Sequence, residues 1–192
     1  MTVDAEETRL VAAARGGDAG AFGELVRRHE QAVRRLALGM LADEDEAEDA
    51  AQEVFVKAFR SLGKYRGDAL FSTWLHRITV NQCMDVLRRR KRWRWLSLDA
   101  PADEQGREPP SPATSPEQAT RGVEAKDLLR SLLKGIPADH RAILLLRELE
   151  GLSYVEIAKT LDITLDAVRA RLRRARQTAL EVARHSGAFG GV

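Results

Sequence analysis

The sequence predicts an all-α protein: two small helical domains joined by a flexible linker, the C-terminal one a helix-turn-helix. Three observations carry this expectation. Aromatic residues make up 5% of the chain and apolar residues 44%, with few β-branched runs, a balance that favours helices over sheets. Apolar residues recur at three- and four-residue steps on both sides of the chain's middle, the period of a helix with one buried face. Between the two periodic blocks fall Pro101, Pro109, Pro110, Pro112 and Pro116 among Ser, Asp, Glu and Gly. Such a segment has too little apolar surface to offset the entropy of ordering it.

The expected domains are therefore 1–96 and 120–185, with a linker over 97–119 and a short tail over 186–192. In the first block Phe22, Leu25, His29, Val33, Leu36 and Met40 mark one amphipathic helix, and Ala47, Ala50, Ala51, Val54, Phe55, Ala58, Phe59 and Leu62 a second. A third is expected to start after a Gly67-Asp68 turn and carry Phe71, Trp74, Leu75, Ile78 and Leu87 into the basic run RRRKRWR. The second block reads as helices near 120–134, 138–150, 154–161 and 165–184. Gly135 and Gly151 suit helix C-caps, Pro137 a first helical turn, and Ser153 with Glu156 a capping box.

Net charge is only +2, but it is segregated. Asp43, Glu44, Asp45, Glu46, Glu48, Asp49 and Glu53 crowd one stretch and arginines crowd two others, so the molecule has opposite poles. The single cysteine, Cys83, excludes an internal disulfide and a Cys-rich metal site and points to a reducing cytoplasm. It reads as a small buried apolar group. The acidic start MTVDAEETRL does not read as a secretory signal, and nowhere do 18 apolar residues run together, so a soluble cytoplasmic protein without membrane insertion is expected. His29, His76, His140 and His185 have no ligand spacing, and no metal, cofactor or small-molecule substrate is expected.

The arginines have the clearest pattern. After the short helix YVEIAKTL and the tight DIT comes LDAVRARLRRARQTAL, with Ile157, Leu161, Ile163, Val168 and Leu172 as a shared core and Ala158 small enough for a close crossing. That is the layout of a helix-turn-helix. At about 100° per residue, Leu165, Val168, Leu172, Ala175, Ala179 and Val182 fall on one side. Asp166, Ala170, Arg173, Arg174 and Gln177 fall on the other, flanked by Arg169 and Arg171. An inner stripe that fixes docking, with outward groups for base edges and phosphates, is what a recognition helix needs. A solvated basic face remains the alternative.

Taken in order, DEAEDAAQEVFVKAF, YRGDALFSTWLHRITVNQCMDVLRRRKR, IPADHRAILLLRELEGLSYVEIAKTLDI and VRARLRRAR resemble the extracytoplasmic-function (ECF) sigma factors, two-domain specificity subunits of bacterial RNA polymerase. The resemblance covers roughly 10–95 and 120–182. It implies that Asp49, Gln52, Glu53 and Phe55 grip the clamp helices of the polymerase's largest subunit. It also implies that Tyr65, Arg66, Asp68, Phe71, Trp74, Arg77, Asn81, Arg88, Arg89, Arg90 and Lys91 melt the −10 element, hold its unpaired non-template strand and hold duplex phosphate. Asp166, Arg169, Ala170, Arg171, Arg173, Arg174 and Arg176 would read the −35 duplex. Ordinary core remains an alternative role for Phe71 and Trp74, and dipole-complementing solvation one for Asp43 to Glu48.

The chain departs from the family where Asp166, Ala167 and Ala170 replace a usual Gly-Thr pair and serine, and where Asp162 replaces the turn's frequent glycine. Asp166 could accept from a cytosine amino group instead. Asp162 is expected to take a left-handed backbone at some strain. The family further implies an anti-sigma partner and no enzymatic activity. Two rivals differ in class: a stand-alone helix-turn-helix regulator, which would bind DNA tightly unaided, and a metal-dependent nuclease using the acidic cluster.

Overall fold

The computed structural model describes residues 5–98 and 118–186, all of whose regular elements are helical. Most of the expected linker and the end of the tail lie outside the described residues.

Helix α1 (Ala5–Arg15) has no counterpart in the sequence-based reading. It is short and weakly amphipathic, and buries only Val11 and Ala14, so its placement comes from tertiary packing rather than periodicity. Helix α2 (Ala19–Leu41) starts at Asp18, whose carboxylate accepts from Ala21 N at 3.0 Å. It ends at Ala42, a non-glycine residue in the left-handed region (φ 54, ψ 37). Helix α3 (Glu44–Ser61) is capped by Asp43. Its first-turn acids Glu44, Asp45 and Glu46 face the positive end of the helix dipole.

A single 3-10 turn (Leu62–Lys64) and a loop with Gly67 at φ +80 lead into α4 (Phe71–Leu98). The second block holds α5 (Gln118–Gly135), α6 (Ala138–Leu144) continuing as a π-helical turn (Leu145–Leu149), α7 (Tyr154–Leu161) and α8 (Leu165–His185).

Most of the expected punctuation is present. Ser153 and Glu156 form a complete capping box, Gly151 is left-handed at φ +67, and Asp162 closes α7 at φ 56. Gly135 differs: it is the last residue of α5 and is not left-handed. A Cβ there would sit 2.8 Å from Val182 Cγ1, so this glycine serves close packing of α5 on α8.

Two apolar clusters hold the fold. One joins α1, α2, α3 and the start of α4 through Leu25, Val33, Val54, Leu62, Phe71 and Leu75. The other spans both blocks: Leu36, Met40, Leu41, Val80 and Cys83 from the first meet Ile143, Leu146, Ile157, Val168 and Leu172 from the second. Each fully buried Leu or Ile contributes about 1.5–3 kcal/mol relative to exposure. The two helical blocks thus dock against each other rather than standing apart.

Candidate nucleic-acid and partner interfaces

Apart from the exposed first-turn Asp45, which has no ion pair among the described residues, the acids of α3 and its cap sort into two groups by partner. Glu46 takes Arg90 Nε at 2.6 Å, Glu48 pairs with Arg34 at 2.7 Å, Glu44 with Arg130 at 2.5 Å, and Asp43 caps the helix. These charges are spent inside the molecule. Asp49 and Gln52 are exposed and Glu53 half-buried, and none of the three has an ion pair among the described residues. Val56 (40% exposed) and Phe59 (52%) continue the same stripe one and two turns on. Helical periodicity places Phe59 on the apolar stripe of α3. Its ring instead meets Phe22 edge-on at the surface, with centroids 5.0 Å apart. Phe55 is half-buried against the first cluster, so it supports this face from beneath.

The loop before α4 and the first turns of that helix gather an aromatic cluster. The Tyr65 ring lies 5.3 Å from Trp74 and 5.8 Å from Phe71, Phe71 lies 5.5 Å from Trp74, and His29 packs on Phe71 at 5.3 Å. Tyr65 donates its hydroxyl to Ala69 O at 2.6 Å. Burial, helped by Glu7 and Asp68, pushes its phenol pKa up, so that donor stays protonated. Phe71 is only 4% exposed. It packs into the first apolar cluster, where it backs Tyr65 and Trp74, the core role that the sequence left open for it.

Farther along α4, Trp74, Arg77, Asn81 and Arg88 fall within a narrow arc at about 100° per residue, and the last three are exposed. Arg66, Asp68, Arg89 and Lys91 are exposed as well. Arg90 is different: its guanidinium bridges Glu46, Asp43 (3.7 Å) and Leu41 O (3.3 Å), tying α4 to α3 and the end of α2. A phosphate would have to displace those bonds. Arg90 is thus an internal tie whose side chain remains 31% exposed.

Helix α8 begins at Thr164, whose hydroxyl accepts from Ala167 N at 3.2 Å. A threonine before an apolar-periodic run is a helix start signal, and it is the one sequence feature that marks this cap. Val168, Leu172 and Ala175 are buried as expected, whereas Leu165 stays 39% exposed. Arg173 and Arg174 are exposed, Ala170 and Arg171 half-buried, and none of these three arginines has an ion pair among the described residues. Arg169 pairs with Asp166 at 2.7 Å and Arg176 with Glu148 at 2.8 Å, the latter pair holding its guanidinium pKa up. Asp166 thus orients an arginine on its own helix.

Among the described residues no cluster of His, Cys, Asp and Glu could hold a metal, and no helix is long and apolar enough to cross a membrane. Cys83 is fully buried, and burial pushes its thiol up to about 12.

Comparison with known proteins identifies the family. The family model for Sigma-70 region 2 matches residues 25–93, and that for Sigma-70, region 4 matches 126–178. The RNA polymerase sigma-H factor of Pseudomonas aeruginosa is 36% identical over 92% of this chain and 93% of its own. The ECF RNA polymerase sigma-E factor of Escherichia coli is 37% identical over 88% and 89%. ECF RNA polymerase sigma factor SigE of Mycolicibacterium smegmatis is 39% identical over 86% of this chain, which spans 63% of that longer relative.

Among solved structures, CnrH in complex with the cytosolic domain of CnrY is similar at a TM-score of 0.70 and 26% identity, covering 95% of this chain and 99% of that one. The sigma factor RpoE of Bartonella quintana, solved with the anti-sigma factor NepR, shares the fold at a TM-score of 0.64 and 21% identity over 85% and 96%. With both family models matched in chain order and relatives matched over about nine-tenths of their own length, this chain belongs to the ECF sigma factors of RNA polymerase, which direct transcription initiation at promoters.

Proposed function

We propose that the chain is a non-enzymatic cytoplasmic subunit that works by presenting two unlike surfaces. The α3 face of Asp49, Gln52 and Glu53, with Val56 and Phe59 beside it, takes the clamp helices of the polymerase's largest subunit. The α4 face, with Tyr65, Arg66, Asp68, Trp74, Arg77 and Asn81, captures unpaired −10 bases, while Arg88, Arg89 and Lys91 hold neighbouring phosphates. Arg169, Arg171, Arg173, Arg174 and Arg176 on α8 read the −35 duplex, with Asp166 and Ala170 on the same outward side.

The observation that carries this reading is the sorting of charge by partner. Asp43, Glu44, Glu46 and Glu48 are paired within the chain, whereas Asp49 and Glu53 on the next turns and the central arginines of α8 have no ion pair among the described residues and are free to meet other molecules; Asp45, exposed and without an ion pair, stays at the helix start. Strand opening then needs no covalent chemistry. Unstacking a base costs a few kcal/mol, and stacking on an aromatic side chain returns about 1–3 kcal/mol per base. A similar fold solved with an anti-sigma factor supports a partner of that class.

The test mixes the purified chain with core polymerase and sequences the transcript starts that result. New promoter-specific starts support the reading. Tight, sequence-specific DNA binding without polymerase, and no new starts with it, would favour a stand-alone helix-turn-helix regulator.

A further inference from the structure

Glu150 and Arg141 both bury a charge where the helical blocks meet, and they are balanced differently. The Glu150 side chain is 5% exposed. Arg35 of α2 donates to it through Nε and Nη2 at 3.2 and 3.1 Å, and His76 Nε2 of α4 lies 3.5 Å away. Burial works against the charged carboxylate, yet the bonds from His76 and Arg35 prevail and hold its pKa low. This charge has its counter-charges inside the molecule.

Arg141 of α6 does not. The residue is 5% exposed, and its guanidinium donates to Met40 O, to Ile136 O at 2.9 Å and to Lys134 O at 3.4 Å. Its Nε is buried with no hydrogen-bond partner. Every acceptor is a backbone carbonyl, which takes up a donor without supplying a full negative charge. Burial pushes the guanidinium pKa down, and the neighbouring Arg90 pushes it the same way. A buried cation without a counter-charge is unfavourable.

The end of α2 explains why two arginines gather here. Arg90 donates to Leu41 O at 3.3 Å and Arg141 to Met40 O, so consecutive carbonyls draw two guanidiniums to one helix terminus. The negative end of a helix dipole favours a cation there. Asp43 and Glu46 neutralise Arg90 from α3 and its cap, and neither pairs with Arg141.

Beside these arginines a cavity of about 650 Å³ opens between α4 and the α5–α6 corner. Lys91 and Lys134 join Arg90 and Arg141 in its wall, and no acid lines it. Leu87 gives it an apolar side, and Trp95, 66% exposed, completes it. Four cations without an acid call for an anion. The volume falls in the range of small-molecule sites, well beyond the needs of a simple ion, and the indole offers a stacking face for a planar ring. A DNA backbone could touch exposed Lys91 and Lys134, but Arg141 lies too deep for a double helix to reach.

We propose that this cavity binds a nucleotide carrying two or more phosphates, with the phosphates among Arg141, Lys134 and Lys91 and the base stacked on Trp95. The ligand supplies the negative charge that the chain itself withholds from Arg141. The site stands independently of the promoter-selecting function, which it meets only at Lys91.

The experiment titrates the full chain with guanosine diphosphate, inorganic pyrophosphate and guanosine by isothermal calorimetry in magnesium-free buffer. Guanosine diphosphate is expected to bind once per chain, about tenfold tighter than pyrophosphate, a gain of the size that stacking on one aromatic gives, and tighter still than guanosine. Lys134 and Trp95 are both exposed, so their variants keep wild-type helicity by circular dichroism. Lys134→Ala is expected to weaken the diphosphate at least fivefold. Trp95→Ala is expected to bring it down to the level of pyrophosphate and to leave pyrophosphate unchanged.

Absence of diphosphate binding at millimolar concentration, equal affinity of the wild type for diphosphate and pyrophosphate, or wild-type affinity in Lys134→Ala overturns the proposal. A short DNA duplex separates the two sources of phosphate. It should bind the wild type and Lys134→Ala alike; a duplex affinity that falls in step with that of the nucleotide would give the cavity to the DNA backbone and overturn the nucleotide site.

Discussion

Ala42 and Asp162 both end helices in the left-handed region, at φ 54 and φ 56, yet a glycine at each should act differently. A left-handed residue with a Cβ is strained by about 1–2 kcal/mol, less for Asp, and glycine removes that strain while loosening the unfolded chain. Asp162 leaves its side chain 83% exposed, so nothing packed is lost, and Asp162→Gly is expected to stabilise the fold by roughly 0.5 kcal/mol. The methyl of Ala42 is 2% exposed, and its loss gives back about 0.8 kcal/mol, so Ala42→Gly should be near neutral. Urea midpoints for the two variants check the order, and a larger gain at Ala42 would contradict it. The left-handed aspartate was legible because Asp162 stands where the resembled family frequently has glycine in the turn. The role of His76 was not, because its partner Glu150 lies far along the chain and neither residue stands in a motif.

Single elements show most directly how local sequence sets function. The capping box that starts α7 also starts the helix-turn-helix. The Ser153 hydroxyl bonded to Glu156 is the chief cause holding that carboxyl below its usual range; burial opposes, and the Ser153 backbone N–H helps. Because the folded pKa is depressed, this stabilisation is complete above the unfolded value near 4.5 and is lost as pH falls through the folded one. Glu156→Ala is therefore expected to cost about 1 kcal/mol at pH 7, and the gap to wild type should shrink in urea melts below pH 4. A gap that is constant with pH would remove the carboxylate from the account.

On α3 the same logic separates structural from docking acids. Asp49→Lys with Glu53→Lys is expected to abolish co-purification with core polymerase while helicity by circular dichroism is unchanged, because neither residue has an ion pair within the described chain. On α8, Arg173→Ala with Arg174→Ala should weaken upstream-element binding by at least tenfold and flatten its salt dependence by about two phosphate contacts. Wild-type promoter selection by that variant would contradict the outward assignment. These faces were readable because helical periodicity names the buried stripe and leaves its complement. The exposure of Phe59 was not, because periodicity cannot tell an apolar surface from an apolar core.

At the scale of the whole molecule, composition separates two helical blocks but gives no sign that they share a core, since such packing depends on complementary shapes such as the Gly39 gap filled by Leu145. The shared cluster has a thermodynamic consequence. Were the blocks independent, heating would melt them one after the other. With Leu36, Met40 and Cys83 packed against Ile143, Leu146 and Val168, loss of either block exposes the other's apolar surface. The chain should therefore unfold in one calorimetric transition with calorimetric and van't Hoff enthalpies in agreement, near 0.7 kcal/mol per ordered residue around 60 °C. Arg35→Glu removes the cation that Glu150 meets in the interface and should split the peak into two, each of lower enthalpy. Two well-separated peaks in the wild type would mean that the shared core contributes little, and cooperativity would then have to be sought within each block.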